Sequence, residues 1–567
     1  MQERFLKTTT ICLTALVLAA CGGSGSGAAP GGTGGDDGGG GSDSGGNAGS
    51  DGKGGMGGAT ESGDPRIDVS TEVGAPGLAS TATATSEDGA TFTWELTKQP
   101  EGSDLADEDL EDSDTATVRF IPQVEGAYEL SVTATSNGES STKEVTLEVE
   151  GYDVPFALFR LVPGEEESNV HHVALMVSSG GGDAREVGCT HTVTAGYLGQ
   201  SGSPIARAYA TATYVPQTLK EEARIASFVF DKNSEVDAKV ELATSKTQCA
   251  DEEAGDAPVF ADLGEPVTEP ALPLRFSPNG SRLLGMSQPA AQQLRLLTAD
   301  SSSGELRALV VGDPSWIPHY GWSSDGRVFV QHQDAQHPDS PYQLLLIADE
   351  EDSLDDGSLV VDCTGVDPEN AVMPINQVYP AGDDLVVVKD YDVYRLEADD
   401  EGKFDCAIDS ERNALVAEDV NSVDVARDGS RIVYDSTAEN GIFVSPLASL
   451  EDAVRISPED GTQHFHPRFA LGGAQVVWTS VYQYSAPEDD ETTPFDEDVV
   501  RVYRANPDGS HPFVVWQRSG PEEETLFATG GTQRAGCSFA LPFGAGSPAL
   551  LALAAAGLVA LRRRRPR

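Results

Sequence analysis

The sequence predicts an all-β chain: a small antiparallel sandwich, then a β-propeller of six or seven blades, then one apolar helix at the C-terminus. Three observations carry this. Between residues 65 and 150, apolar and polar residues alternate with a period of two, as in half-buried strands. Between 151 and 517, glycine-centred hairpin turns recur about every 45 residues, the length of a four-stranded unit. From Ser538 to Leu561, 24 residues carry no charge, enough to cross a bilayer as a helix.

Composition narrows the function first. The 567 residues hold 92 acidic and 37 basic side chains, for a formal charge of −55. Binding nucleic acid needs a face of Lys and Arg, so this balance excludes that class.

Residues 1–21 read as an export signal: Arg4 and Lys7, an apolar run from Ile11 to Ala20, then Cys21. The ending Leu18-Ala19-Ala20-Cys21 resembles a lipobox. The resemblance implies cleavage by signal peptidase II and a lipid on the Cys21 thiol. Residues 22–64 contain 21 glycines in 43 positions and almost no apolar side chains. They cannot bury enough to fold and form a flexible tether with a reach of roughly 35 Å.

Composition shifts at Pro65, where the sandwich (65–150) begins. Thr91 to Leu96, Ala127 to Val132 and Lys143 to Glu150 alternate, and Trp94 is the expected core anchor. The stretch Pro122 to Val132, with Gly126-Ala127-Tyr128-Glu129-Leu130-Ser131-Val132, resembles the PKD-type Ig-like domain of bacterial surface proteins. That resemblance puts the tyrosine at a strand corner and implies a spacer or weak binding module. The acidic stretch Asp104 to Asp112 lacks the Asp-x-Asp-x-Asp-Gly spacing of a Ca²⁺ loop and reads as a solvated loop.

In the body (151–517), "LRFSPNGSRLLG", "YGWSSDGRVFV", "VDVARDGSRIVYDS" and "PRFALGGAQVVWTS" share one pattern: an apolar residue, a short turn ending in glycine, an apolar strand. With Gly382, the glycines Gly280, Gly326, Gly429 and Gly473 lie 46, 56, 47 and 44 residues apart. Asn-Gly, Asp-Gly and Gly-Gly supply the positive φ of a tight hairpin. "FSPNGSRLLG" and "VARDGSRIVYDS" resemble the TolB-type propeller repeat, and the resemblance implies six blades, with seven as the alternative. The motif fades over 151–272. Residues 518–536 read as a linker.

Four cysteines lie in the body. An exported chain permits disulfides, and of the three possible pairings the sequence neighbours, Cys189–Cys249 and Cys363–Cys406, are preferred. No Cys-x-x-Cys exists, so no zinc site is expected.

The chain lacks His-Glu-x-x-His and Walker motifs and, outside low-complexity sequence, Gly-x-Ser-x-Gly; no catalytic residue and no cofactor are expected. His464 and His466 share one face if their segment is a regular strand. His319 lies three residues before Trp322 and His466 three before Phe469; Arg275 and Arg468 each precede a phenylalanine. These equivalent positions, just before or within an innermost strand, make His319, His466, Arg275 and Arg468 the candidates for a ligand site at the channel mouth. Repeat drift without function is the plainer reading of the same alignment. The insertions at 348–357 and 487–498 read as exposed acidic loops, weak Ca²⁺ sites at most.

Residues 537–567 join Gly536-Cys537 to the apolar run and to Arg562, Arg563, Arg564, Arg565 and Arg567. The arginines hold the cytoplasmic side. This arrangement resembles the MYXO-CTERM sorting tail, which implies an intramembrane protease, cleavage near Cys537 and display at the outer membrane. The expected function is a lipid-anchored, non-enzymatic surface protein that binds a protein or glycan; a propeller glycan lyase or hydrolase is the alternative. Metabolic labelling with a fatty-acid analogue is expected to mark the wild type and to be lost in Cys21→Ala; equal labelling of the two would refute the lipobox.

Overall fold

The computed structural model describes residues 65–529 except 87–88, 164–167, 188–190, 195–209, 230–238, 245–258, 263–268, 291–292, 302–305, 313–318, 334–340, 348–356, 449–451, 483–498 and 520–524. The signal, Cys21, the tether, Cys189, Cys249, most of the 348–357 insertion, the 487–498 insertion, Cys537 and the apolar tail lie outside these residues. Among the described residues no helix is long and apolar enough to cross a membrane. They divide into two units: one holds 65–75 and 79–149, the other 76–78 and the residues from 150 onward.

The first unit is a sandwich of two three-stranded antiparallel sheets. One contains Asp68–Glu72, Ser80–Thr85 and Thr117–Phe120; the other contains Thr91–Lys98, Gly126–Ser136 and Glu139–Val149. Tyr128, Leu130, Val132 and Ala134 point inward at every second position and are fully buried, while their neighbours are partly exposed. Period-two alternation arises because only one face of each sheet is covered. Trp94 is buried and its indole N–H donates to the Thr115 carbonyl at 3.0 Å. The Tyr128 hydroxyl donates to the Val124 carbonyl at 3.1 Å, tying the strand to the turn before it. In the acidic stretch, Asp107 accepts from the Leu96 amide and Asp109 from the Ala106 amide, both at 2.8 Å, so these carboxylates hold the backbone.

Among the described residues the second unit is built from seven sheets. Going from sheet to sheet, their first strands are Thr525–Thr529 (paired with Asp153–Pro163), Ala210–Tyr214, Glu269–Phe276, Tyr320–Trp322, Gln377–Ala381, Val420–Val425 and Gln463–Ala470. The second to seventh each contribute four antiparallel strands in sequence order, while the first runs Thr525–Thr529, Asp153–Pro163, Ser168–Ser178 and His191–Thr194; the first strands of the second and third sheets, and of the fourth through seventh in turn, lie side by side. Glu269–Phe276 and Tyr320–Trp322 are joined through the Trp322 indole, which donates to the Arg275 carbonyl at 3.0 Å. This is propeller topology. Middle strands are packed between two neighbouring sheets, which explains why Asp384–Lys389 and Gln343–Ile347 are buried almost throughout and read as apolar runs rather than alternations.

The sequence left six or seven units open; among the described residues there are seven sheets, because 151–272 supplies two. One expectation is corrected. The stretch 518–536 is not simply a linker: Thr525–Thr529 pairs antiparallel with Asp153–Pro163, Phe527 opposite Phe159, and completes the first sheet. The chain's own C-terminal strand thereby joins its first sheet to its last, since Thr525–Thr529 also packs on Gln475–Tyr482.

Cys363 and Cys406 form a disulfide with Cα atoms 5.1 Å apart. Beside it, Phe404–Asp405 pairs in parallel with Ser358–Asp362, so an excursion from the fifth sheet becomes a fifth strand of the fourth. The bond and this strand staple two adjacent sheets.

The five repeat glycines all sit between the first and second strands of their sheets with φ between 68° and 94°. Gly429 and Gly382 have nearly the same φ, but their surroundings differ. A Cβ on Gly429 meets the Gly382 amide nitrogen at 2.4 Å and the Ala381 carbonyl carbon at 2.5 Å; a Cβ on Gly382 meets nothing within 4 Å. Gly382→Ala is therefore expected to cost only the left-handed strain of roughly 1–2 kcal/mol, and Gly429→Ala distinctly more, because a neighbouring turn has to move. Chemical denaturation of the two variants checks this; equal losses contradict it.

Candidate functional site

The two histidines of the last sheet serve different ends. His464 is buried. Its Nδ1 accepts from the Trp478 indole at 3.1 Å, and its Nε2 faces Thr462 Oγ1 at 3.0 Å and Asp460 Oδ1 at 3.3 Å. Burial holds its pKa below the usual imidazole value. It is a satisfied core residue among Trp478 and Tyr503. His466 adopts φ +57° where the register shifts between Phe465 and Arg468, so the two imidazoles do not follow regular strand alternation. The expectation that they share a strand face is corrected by this bulge.

Arg275 and Arg468 both act on a residue the sequence did not single out, Tyr379. Gln377 and Tyr379 stand two apart on the first strand of the fifth sheet, and the phenol donates a short hydrogen bond to the Gln377 amide oxygen. The Arg275 guanidinium, from the third sheet, lies 5.5 Å from the Tyr379 ring centroid. Burial raises the Tyr379 pKa; the charges of Arg275 and Arg468 oppose the shift, and those of Asp424 and Asp435 add to it. One phenol thus senses charged side chains from the third, sixth and seventh sheets. His319, at the start of the fourth, is pushed down to about 4 by burial and by the Arg275 charge, with the Asn376 backbone opposing. Its imidazole is neutral at neutral pH.

Gly321 sets part of this geometry. A Cβ there meets the Val378 carbonyl oxygen at 2.5 Å, so only glycine lets the fourth and fifth sheets approach this closely. His319, Tyr379, Asp424 and Arg468 are partly solvent-accessible, yet burial dominates the titration of His319, Tyr379 and Asp424. Water reaches these groups in part while protein surrounds them on most sides.

Two carboxylates in this region were not visible as candidates. Asp424 accepts from the Phe469 amide across two sheets at 2.8 Å; burial raises its pKa and Arg468 lowers it. Asp435 is buried, accepts from the Asn421 amide at 3.1 Å and, in a short bond, from the Ser422 amide; the His466 amide adds a further backbone hydrogen bond. Burial outweighs these donors and pushes it up to about 6. Both carboxylates brace backbone. The signal for them was thin: an Asp inside the apolar runs "VDVA" and "VYDS". Among the described residues no cluster of His, Cys, Asp and Glu is arranged to hold a metal ion.

No family model matches the chain, and no curated protein does. Solved structures similar to it include a putative TolB from Agrobacterium tumefaciens, at 12% identity over 68% of this chain and 99% of that one, with a TM-score of 0.26. They also include the β-propeller domain of the Trilobed protease from Pyrococcus furiosus, at 10% identity over 54% and 98%, TM-score 0.30. A third is the acylaminoacyl peptidase of Pyrococcus horikoshii, at 11% identity over 65% and 52%, TM-score 0.36. Likenesses this distant carry no functional argument, and the propeller stands on its strand order.

The Asp435 shift has a direction that can be tested. Its carboxyl binds its proton more tightly folded than unfolded, where the pKa is about 3.9. Its contribution to stability therefore falls as pH rises from about 4 to about 6 and stays low above that. Asp435→Asn keeps an acceptor for the Ser422 and Asn421 amides and removes the titration. The stability of wild type minus that of Asp435→Asn is expected to drop by roughly 2–3 kcal/mol between pH 4 and pH 7. Denaturant titrations at the two pH values decide; a flat or rising difference contradicts the assignment.

Proposed function

We propose that this chain is a cell-surface lipoprotein that binds a ligand, without catalysing its conversion, at the polar ring lining the inner strands of its propeller. The observation that carries the reading is the convergence of Arg275, Arg468 and Asp424, from three other sheets, on Tyr379, with His319 under the influence of the Arg275 charge. A rigid scaffold holds donors and acceptors around a wet interior, as a binding site requires. The export signal, the Cys21 lipobox and the MYXO-CTERM-like tail support placement at the outer membrane, with signal peptidase II and a sorting protease as processing partners. The PKD-like sandwich then acts as a spacer above the membrane on the glycine-rich tether.

Binding is preferred over a glycan lyase or hydrolase because both carboxylates near the ring are engaged with backbone amides. A glycosidase pair needs carboxyl groups free to give and take protons at the substrate.

Purified full-length protein is expected to capture specific members of a glycan and protein array, and Tyr379→Ala to weaken that capture at least about tenfold, a loss of about 1.4 kcal/mol. Capture unchanged in a folded Tyr379→Ala variant places the binding surface elsewhere, and turnover of a captured glycan overturns the non-enzymatic reading.

A further inference from the structure

We propose that the channel ring is specific for a monocarboxylate, with Arg275 as the residue that receives the carboxylate group; this rests on the binding reading above.

Arg275 carries an uncompensated charge. Arg275 is 8% exposed, and its Nε has no hydrogen-bond partner. Among the described residues no carboxylate forms an ion pair with it; its guanidinium lies 5.5 Å from the Tyr379 ring centroid and its charge acts on His319 and Tyr320. Burying a guanidinium without an anion is expensive, and such charges are normally paired. The neighbouring cation is answered differently: Arg468 acts on Asp424, and its guanidinium also donates to the Pro467 carbonyl at 2.9 Å. Asp435 is held by backbone and side-chain donors from Asn421, Ser422 and His466. Arg275 is the cation left over.

Its surroundings define what it takes. The guanidinium fork matches a planar two-oxygen acceptor. Among the described residues around Tyr379, Arg275 is the cation without a carboxylate, and Asp424 and Asp435 both lie close enough to act on Tyr379. A dianion such as phosphate therefore meets repulsion that a single carboxylate largely escapes, and the −55 charge of the whole chain acts in the same sense. His319, neutral and influenced by the Arg275 charge, adds a hydrogen-bonding edge without adding charge. The Tyr379 ring supplies an apolar face for the carbon skeleton.

The test uses full-length protein and four probes at equal ionic strength: sodium galacturonate, neutral galactose, sodium phosphate and sodium chloride. Galacturonate is expected to raise the thermal midpoint saturably, by at least about 2 °C at a hundredfold excess over Kd, and the other three not to. Arg275→Gln is expected to abolish the rise, Arg275→Lys to weaken binding about tenfold by losing the fork, and Arg468→Gln to weaken it less than Arg275→Gln. Equal protection by phosphate, protection by galactose, no protection by galacturonate, or full protection in Arg275→Gln each overturns the carboxylate assignment. If Arg275→Gln fails to fold, the probe comparison on the wild type and the Arg275→Lys variant still decide. Array ligands captured in a Tyr379-dependent manner but lacking any acid would leave the binding reading standing and remove only this inference.

Discussion

Ring closure is the constraint on which the rest of the second unit depends. Thr525–Thr529 pairs with Asp153–Pro163, strands more than 350 residues apart in sequence. Middle strands such as Asp384–Lys389 and Gln343–Ile347 are buried almost throughout and are covered only when flanked by two sheets. An open arc would leave an apolar face exposed at each end. The closing pair covers both ends at once. Its entropic cost grows only logarithmically with the length of chain enclosed, so a distant partner is affordable thermodynamically. The disulfide between Cys363 and Cys406 works in the same direction locally, fastening the fourth sheet to an excursion of the fifth.

Closure also creates the electrostatics. First strands from separate sheets face one interior, and charged side chains that are remote in sequence come to share a low-dielectric space. Desolvation then dominates: it raises Asp424, Asp435 and Tyr379 and lowers His319. Backbone amides answer the carboxylates, and Asp424 answers Arg468. Arg275, whose Nε has no hydrogen-bond partner, stands out against these.

Several features were legible in the sequence for local reasons. The hairpin glycines announced themselves because Asn-Gly, Asp-Gly and Gly-Gly satisfy a turn whatever surrounds them. Tyr128 and Trp94 stood out because a one-sided sheet imposes a period of two. Arg275, His319 and Arg468 could be aligned by position in the repeat, though not by what they touch. His464 showed the limit of such alignment: its spacing from His466 looked like a shared face, and a bulge with positive φ at His466 removed it. Thr525–Thr529 was passed over because five residues of modest alternation carry no turn signature of their own; their identity as a strand comes from the partner.

The sequence by itself determined the all-β class, the sandwich before the repeats, the turn positions and a strongly acidic composition. These follow from periodicity, turn chemistry and charge, which act over a few residues or over the chain as a whole. Only the tertiary structure decided that there are seven sheets, that the last strand completes the first, and that Tyr379 is the meeting point of Arg275, Arg468, Asp424 and Asp435. Those depend on contacts between residues tens to hundreds of positions apart, and on the loss of water that closure imposes, neither of which any local pattern encodes.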